Sequence, residues 1–422
     1  MTEQQIISLC EKGDFAKAIS AIDESIILPE NRSSNIYRLR GQINMELGNI
    51  DESINDLIEA LKVEPKNIEA LTLIGNIYGG TKNDIDTAMT YYGKVLDLRP
   101  TDHLAISNIA SINAKAGKFK EAIELFNKAL DIKPKFGNAL YGKALSFFHL
   151  GQYSEAFECC TITMKSIKPL NSESKSILSF SLELMKEMGS LVAKEFDQYP
   201  KRNTLLEQLQ KLSNKPIVSV IDESIPTPAK IEIAEYRNQE EHIIKYKTDN
   251  PLHHHLLYHE LMHLKLVFEA RAEDSNELFV SNSSMFSKFK IKYSVIEKNL
   301  IKKGLPTSYA DTLYRQLFDG LNLQLYNAPI DLFIEDYIYN NYPELRPIQF
   351  LSLLQMIETI FQGADSKELK GLVPERIRDT NIILAIPQIM HFKDLFGIDL
   401  TSRIKEKHLL NKGAKLYGNS KN

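Results

Sequence analysis

The chain has 422 residues, of which 43% are apolar and 25% charged. This composition is typical of folded globular domains and excludes fibrous, collagen-like and wholly disordered chains. With 51 basic and 55 acidic residues, the net charge of −4 offers no large positive field, so we expect neither a nucleic-acid partner nor a membrane partner.

The N-terminal residues lack the basic start, the long apolar stretch and the cleavage site of a signal peptide. No run of about eighteen apolar residues could form a membrane-spanning helix. We therefore expect a soluble, cytoplasmic protein. The three cysteines, Cys10, Cys159 and Cys160, are too few for a disulfide framework and lack metal-knuckle spacing, which predicts free thiols in packed helices.

The first half of the chain repeats a pattern every 34 or 35 residues. Prolines at 65, 100, 134 and 169 mark the period, and the first three close the phrases EALKVEP, KVLDLRP and KALDIKP. A fixed period of this length predicts helix pairs that stack into a solenoid. Small residues keep the same step, as two closely approaching helices require: Gly41, Gly75, Ala110 and Ala144.

This pattern resembles the tetratricopeptide repeat, with units at about 34–67, 68–102, 103–136 and 137–170 and a degenerate unit at 1–33. One residue inserted near 79–83 should distort a single inter-helix turn. The amphipathic segment 172–190 is predicted to cover the end of the stack. The resemblance implies that a concave groove binds peptides or protein partners, and polar candidates in first helices are Asn76, Asn108 and Asn113.

The repeat ends near residue 190, which predicts an array over 1–190 and a second domain over 191–422. Segment 191–213 reads as helix, and β-branched residues in 216–225 and 230–247 predict two or three strands of a small sheet. Loops are expected near 281–284 and 366–373, and a solvated, disordered tail after Ile404. Helices are predicted at 255–272, 285–304, 308–326, 329–341, 347–362 and 382–395.

A chemical motif lies on the first of these later helices: His259 and Glu260 are followed by His263 in the pattern HExxH. Residues i and i+4 lie one turn apart on a helix, so both imidazoles can reach one tetrahedral cation. The motif resembles the zinc-metallopeptidase signature of the zincins. That resemblance implies Zn²⁺ as cofactor and Glu260 as the general base that activates water.

A catalytic zinc ion needs a third protein ligand. The metzincin extension is absent, because Leu266 and Glu269 replace its glycine and third histidine. The resemblance is therefore to gluzincins, in which a second helix supplies a carboxylate. Segment 327–340 presents Asn327, Asp331 and Glu335 on one face, and we prefer Glu335 as third ligand with Asp331 orienting a histidine, leaving the reverse assignment open.

Other residues are weaker candidates for the same site. His255 lies one turn before His259, and segment 240–247 could pair as an edge strand with an extended peptide substrate. Two acidic residues soon after the motif, Glu273 and Glu277, are the next choices for the third ligand. Candidates for stabilising an oxyanion are Tyr326, Tyr337, Tyr339, His391 and His408.

The sequence thus predicts a mainly α protein, with a tetratricopeptide-repeat α-solenoid followed by an α+β zincin-like domain that contains a small sheet. The first functional hypothesis is a zinc-dependent endopeptidase whose repeats recruit a protein substrate or a regulator. The alternative is a non-catalytic interaction scaffold in which the C-terminal domain is an inactive, protease-like relic. A non-catalytic scaffold would depend on the repeats alone.

Overall fold

A computed structural model describes residues 3–27, 32–195, 204–225, 227–247, 251–275 and 281–420. The chain forms two compact units, an N-terminal unit of Met1–Cys159 with Leu170–Ile177 and a C-terminal unit of Cys160–Pro169 with Leu178–Asn422. Among the described residues, no helix combines the length and the apolar character needed to cross a bilayer. The three cysteines are free thiols, as predicted, and the two in α10 are buried.

The N-terminal unit consists of consecutive helix pairs, as the sequence period predicts. Polar side chains begin several of the helices: Asn67, for example, accepts a hydrogen bond from the Ala70 amide at 2.9 Å. The helices are α1 Glu3–Glu11, α2 Phe15–Ile26, α3 Ser34–Glu46, α4 Ile50–Val63, α5 Ile68–Asn76, α6 Ile85–Leu98, α7 His103–Lys115, α8 Phe119–Ile132, α9 Gly137–His149 and α10 Tyr153–Ser166.

The small residues of the repeat lie where neighbouring helices approach most closely. A Cβ atom added at Gly75 would stand 2.6 Å from Cε1 of Tyr92, and one at Gly41 would stand 2.8 Å from Cγ of Leu57. Ala110 and Ala144 are fully buried. The sequence-based explanation of these positions as close-approach points is therefore confirmed.

The inserted residue in the second full repeat is absorbed locally. Residues Ile77–Thr81 form a turn of π-helix directly after α5, and the Lys82 amide donates to the Ile77 carbonyl at 3.0 Å across five residues. A π-helical turn accommodates one extra residue in this way without ending the helix. The distortion stays between α5 and α6, as predicted.

The C-terminal unit combines helices with a three-stranded sheet, so the prediction of a small sheet is confirmed. Strands β1 Ile217–Ile221, β2 Ala229–Glu232 and β3 His242–Tyr246 are ordered β1-β3-β2, with β1 parallel and β2 antiparallel to β3. The remaining helices are α11 Ser172–Glu195, α12 Thr204–Ser213, α13 Ala234–Arg237, α14 His253–Ala272, α15 Ser283–Lys292, α16 Val295–Lys302, α17 Ser308–Asn341, α18 Arg346–Asp365, α19 Lys367–Leu372, α20 Glu375–Phe396 and α21 Lys407–Ser420.

Helix α11 confirms that 172–190 is helical, and residues from Leu178 onward belong to the C-terminal unit. Within that unit α11 lies against α18, because a Cβ atom at Gly189 would meet Cγ of Leu351 at 2.5 Å. Its predicted role in covering the repeat stack, and the predicted boundary at residue 190, stay predictions.

Strand β3 corrects the expectation for segment 240–247. Its central part pairs with β1 on one side and with β2 on the other, for example Ile244 with both Ser219 and Ile231. A strand that is paired along both edges cannot accept an added peptide strand. The edge strands of this sheet are β1 and β2.

Several helix predictions need correction. The helices expected at 308–326 and 329–341 are one continuous helix, α17, which contains Pro329, and the helix expected at 285–304 is divided into α15 and α16. The loop expected near 366–373 contains α19. The tail expected to be disordered forms α21, because buried Leu409 and Tyr417 attach it to the unit and the Tyr417 hydroxyl donates to Asp394 at 2.7 Å.

The close approach at Gly75 generates the first prediction. Gly75→Ala should lower the free energy of unfolding by about 1–3 kcal/mol, because the new methyl group overlaps the buried Tyr92 ring. The matched control is Gly93→Ala within α6, where the added Cβ has no neighbour within 4 Å and helix propensity should raise stability by up to about 1 kcal/mol. Urea unfolding followed by circular dichroism measures both. Equal effects of the two substitutions would contradict the steric explanation.

Candidate functional site

Helices α14 and α17 bring three potential metal ligands together. The Nε2 atoms of His259 and His263 lie 3.2 Å apart. Oδ1 of Asp331 lies 3.5 Å from the first and 3.4 Å from the second. Two imidazole nitrogens and one carboxylate oxygen form the ligand set of many catalytic zinc sites.

The environment of Asp331 tests whether this cluster suits a cation. Its Oδ1 atom is buried and makes no hydrogen bond with the residues that the structure describes. An acceptor in this state is costly unless a cation or a strong donor satisfies it. The three side chains therefore fit a divalent metal ion, and a fourth position would remain open toward the adjoining cavity.

A second carboxylate orients the first histidine. Oε1 of Glu335 lies 2.8 Å from Nδ1 of His259, and Oε2 lies 3.0 Å from Nε2 of His255. The side-chain amide of Gln349 donates to Oε2 at 2.6 Å and to the Glu335 carbonyl at 2.9 Å. An ionised carboxylate only accepts hydrogen bonds, so Nδ1 of His259 carries a proton, and Nε2 is the ring nitrogen that would present its lone pair once metal binding displaces its own proton.

This geometry bears on the third ligand. The Glu335 carboxylate contacts the Nδ1 side of the His259 ring, away from the two Nε2 atoms, and is almost completely buried. The arrangement therefore disagrees with our preferred assignment of Glu335 as ligand. It favours the reverse assignment, which the sequence left open: Asp331 as the third ligand and Glu335 as the residue that orients His259.

The histidines and carboxylates of the cluster shift one another's pKa values and stabilise their charged forms. Burial alone would lower the pKa of His259, but Asp331 and Glu335 outweigh it and hold that pKa well above its ordinary value. Burial would raise the pKa of Glu335, yet His255 and His259 keep it well below the usual range. The pKa of Asp331 is also lowered, because the two neighbouring imidazoles outweigh its burial. Both carboxylates are therefore charged at neutral pH.

Glu260 lies between the cluster and the sheet. Its Oε2 atom accepts a hydrogen bond from the Ile231 amide of β2 at 2.9 Å. Glu260 and the three potential ligands line one cavity of about 1110 Å³, which β2 and the first part of α17 also bound. A carboxylate held in this position can accept a proton from water at the open face of the cluster.

The other residues that the sequence suggested have different positions. Asn327 lines the cavity, whereas Glu273 is an exposed residue at the end of α14 and Glu277 lies outside the described residues. The proposed oxyanion donors are absent from the cavity lining: Tyr326, Tyr337, Tyr339, His391 and His408.

Two residues of the site escaped the sequence analysis. Gln349 is completely buried and holds Glu335, and Ile231 contributes only its backbone amide. Gln349 lies between Ile348 and Phe350 near the start of α18. Because a buried amide requires hydrogen-bond partners, this position could have indicated a buried polar contact. No side-chain pattern could have indicated the Ile231 amide.

In the N-terminal unit, two of the three polar candidates, Asn76 and Asn108, are joined by a hydrogen bond. Oδ1 of Asn76 accepts hydrogen bonds from the Tyr92 hydroxyl and from the Asn108 side-chain amide, both at 2.8 Å. This links first helices of successive repeats. Asn113 is half-buried and its carbonyl accepts from the Lys118 amide at 2.9 Å, closing the turn after α7.

Comparison with known families identifies the repeats. A tetratricopeptide-repeat model matches residues 34–67. The model of the family described as "Anaphase-promoting complex, cyclosome, subunit 3" matches residues 81–160. The N-terminal part of this chain therefore contains tetratricopeptide repeats.

Several curated proteins are similar to a part of this chain. The peroxisomal targeting signal receptor of Saccharomyces cerevisiae is 32% identical over 76 residues, which are 18% of this chain and 12% of that protein. The BBSome complex member BBS4 homolog of Drosophila melanogaster is 24% identical over 175 residues, 41% of this chain and 35% of that protein. The chain thus spans well under half the length of these curated relatives.

Among solved structures, the type IV pilus biogenesis factor PilW is similar over 48% of this chain and 96% of its own, with a TM-score of 0.38 and 20% identity. The family models and the curated relatives support the assignment of the repeats. The chemistry of the C-terminal unit stays a prediction.

The ligand geometry generates the second prediction. Asp331→Asn should weaken Zn²⁺ binding more than Glu335→Gln does. The first change removes the charge of a ligand, whereas the second removes only the partner that orients His259, which should lower zinc affinity by about 10–100-fold. Titration against a chromogenic chelator measures both affinities. Thermal unfolding of the apoproteins shows whether each variant is folded.

The control is Glu269→Gln on α14, whose carboxylate pairs with Lys265 and lies outside the cluster. It should leave zinc affinity unchanged. The assignment would be wrong if Glu335→Gln abolished binding while Asp331→Asn left it intact, or if the wild-type protein bound no stoichiometric zinc.

Proposed function

We propose that this chain binds a protein partner through its tetratricopeptide repeats and hydrolyses peptide bonds at a divalent-metal site in the C-terminal unit. One observation carries the hydrolytic part: three ligand atoms converge within 3.5 Å beside the Glu260 carboxylate on the wall of a large cavity. The repeats carry the binding part.

The binding part rests on the family matches and on the relatives' names. One relative is a receptor for a targeting signal, and another is a member of a protein complex. A receptor and a member of a complex both associate with other molecules. For this chain we propose that the partner is a protein or a peptide segment, held by first helices such as α5 and α7.

In the proposed reaction, His259, His263 and Asp331 would hold the metal ion. When bound, a zinc ion would polarise a carbonyl oxygen and lower the pKa of water. Glu260 takes the proton of the attacking water and later gives it to the departing amine. Glu335 keeps the His259 ring in the orientation and tautomer that binding requires, and the Ile231 amide holds the Glu260 side chain beside β2.

A non-catalytic scaffold is the second candidate, and the comparisons favour it over a peptidase. Both family models describe repeat proteins, and neither names a hydrolase. In this case the metal cluster would stabilise the C-terminal unit without turnover. A structural site of this kind would bind zinc. Loss of Glu260 would then change only the stability of the protein.

The third prediction separates the two candidates. Glu260→Gln keeps the shape of the side chain and an oxygen that can accept the Ile231 hydrogen bond, but it removes the base. We expect cleavage of a quenched-fluorescent peptide library by the zinc-loaded protein to fall by about 10²–10⁴-fold, while zinc content and thermal unfolding stay unchanged.

The control is Glu241→Gln, an acid-to-amide change in the turn before β3, which should retain full activity. Equal turnover by wild type and Glu260→Gln would refute Glu260 as the base. A zinc-loaded wild type that cleaves no member of the library, and no denatured protein added as a second substrate, would favour the scaffold.

A further inference from the structure

We infer that helices α15 and α16 bind the surface of an anionic lipid bilayer, because they place a group of lysines, four of which make no ion pair with a described residue, beside exposed aliphatic side chains. This inference does not depend on the hydrolytic function. It concerns a surface formed by residues 283–305, which we call the lysine face. The following paragraphs take its charge, its apolar side chains and its occupant in turn.

The lysine face is strongly basic although the whole chain is acidic. Residues 283–305 contain six lysines and one acid, Glu297, against a net charge of −4 for the chain. Lys290 pairs with Asp311, and the Lys303 ammonium donates to the Glu368 carbonyl at 3.2 Å. The other four make no ion pair with any described residue: Lys288, Lys292, Lys298 and Lys302.

Aliphatic side chains are exposed between these lysines. Ile291 at the end of α15 is 77% exposed and Ile301 at the end of α16 is 62% exposed. Val295 and Leu305 are also exposed large apolar residues. Exposure of this kind is costly in water when apolar residues cluster, and clustered apolar residues ringed by polar ones mark interaction surfaces.

The opposite side of α16 explains the direction of these side chains. Ile296 and Leu300 are almost fully buried, in a core that also contains Tyr314 of α17. On a helix of 3.6 residues per turn, Lys298, Ile301 and Lys302 point away from that core. Helix α16 therefore has two different sides. Its inner side is apolar and buried, and its outer side carries both lysine and isoleucine.

This combination favours lipid over other anionic partners. All six cations are lysines and none is arginine, whereas arginine is the residue that nucleic-acid and phosphopeptide sites use for paired hydrogen bonds. Lysine stems can lie along an acyl-chain boundary while the ammonium groups reach the headgroups. Short basic helices with aliphatic side chains bind bilayer interfaces in this manner, without spanning them.

The adjacent helix extends the positive charge. Helix α19 contributes Lys367 and Lys370 against one acid, Glu368, and its Leu369 and Leu372 pack on the same core. The net charge of −4 predicts no membrane partner for the chain as a whole. That argument does not hold for a local surface, since attraction to lipid headgroups acts within about one Debye length, roughly 8–10 Å.

The fourth prediction tests this face with the full chain and sedimented vesicles. The protein should bind vesicles of phosphatidylcholine with phosphatidylserine and bind vesicles of phosphatidylcholine alone much more weakly. The triple variant Lys288→Glu, Lys298→Glu, Lys302→Glu should lower the partition coefficient by about a hundredfold or more, because each lysine near an anionic surface contributes roughly fivefold. Ile291→Ser with Ile301→Ser should lower it by at least about tenfold.

The matched control is Lys118→Glu, Lys120→Glu, Lys128→Glu in the N-terminal unit, three exposed lysines whose reversal changes the net charge equally. This control variant should bind the phosphatidylserine vesicles as strongly as the wild-type protein does. All changed positions are exposed, and thermal unfolding verifies that each variant is folded.

Three outcomes would overturn the inference. The protein could fail to bind the phosphatidylserine vesicles, the lysine-face variant and the control variant could lose equal amounts of vesicle binding, or the change of both isoleucines to serine could leave the partition coefficient unchanged. If the lysine face instead bound single-stranded DNA or a polyglutamate peptide and no vesicle, the surface would belong to a soluble polyanion and the lipid assignment would be wrong.

Discussion

The C-terminal unit depends on one buried carboxylate, that of Glu335. It contacts His255 and His259 of α14 and accepts a hydrogen bond from Gln349 of α18, so three helices meet at its two oxygen atoms. A buried charge with fewer partners would be strongly destabilising. The same contacts that make this charge tolerable also fix the ring of His259, and with it the direction of the lone pair that faces His263 and Asp331.

Much of the architecture was predictable because it follows from local patterns. The 34-residue period indicated the helix pairs, since each small residue such as Gly75 marks a position where a neighbouring ring approaches. The insertion near Gly79 indicated a local distortion, and a π-helical turn absorbs it. The motif at His259, Glu260 and His263 is equally local, because one helix turn sets the spacing of its ligands.

Features that depend on distant pairings were not predictable. Asp331 and Glu335 lie one turn apart on the same face of α17, and only the approach of α14 determines which of them faces the Nε2 atoms. The strand order β1-β3-β2 likewise places the later segment in the centre of the sheet, which no alternation within 240–247 reveals. The final helix was misjudged because its polar composition concealed two anchoring residues, Leu409 and Tyr417.

Pro329 lies within α17, two residues before Asp331. A proline has no amide hydrogen, so the Leu325 carbonyl loses its usual donor one turn earlier and the helix is least stiff at this point. The N-terminal arm of α17 borders the cavity while the C-terminal arm carries the buried carboxylate. Pro329 therefore separates the part of α17 that supplies most of its cavity-lining residues from the part that holds the buried carboxylate against α14.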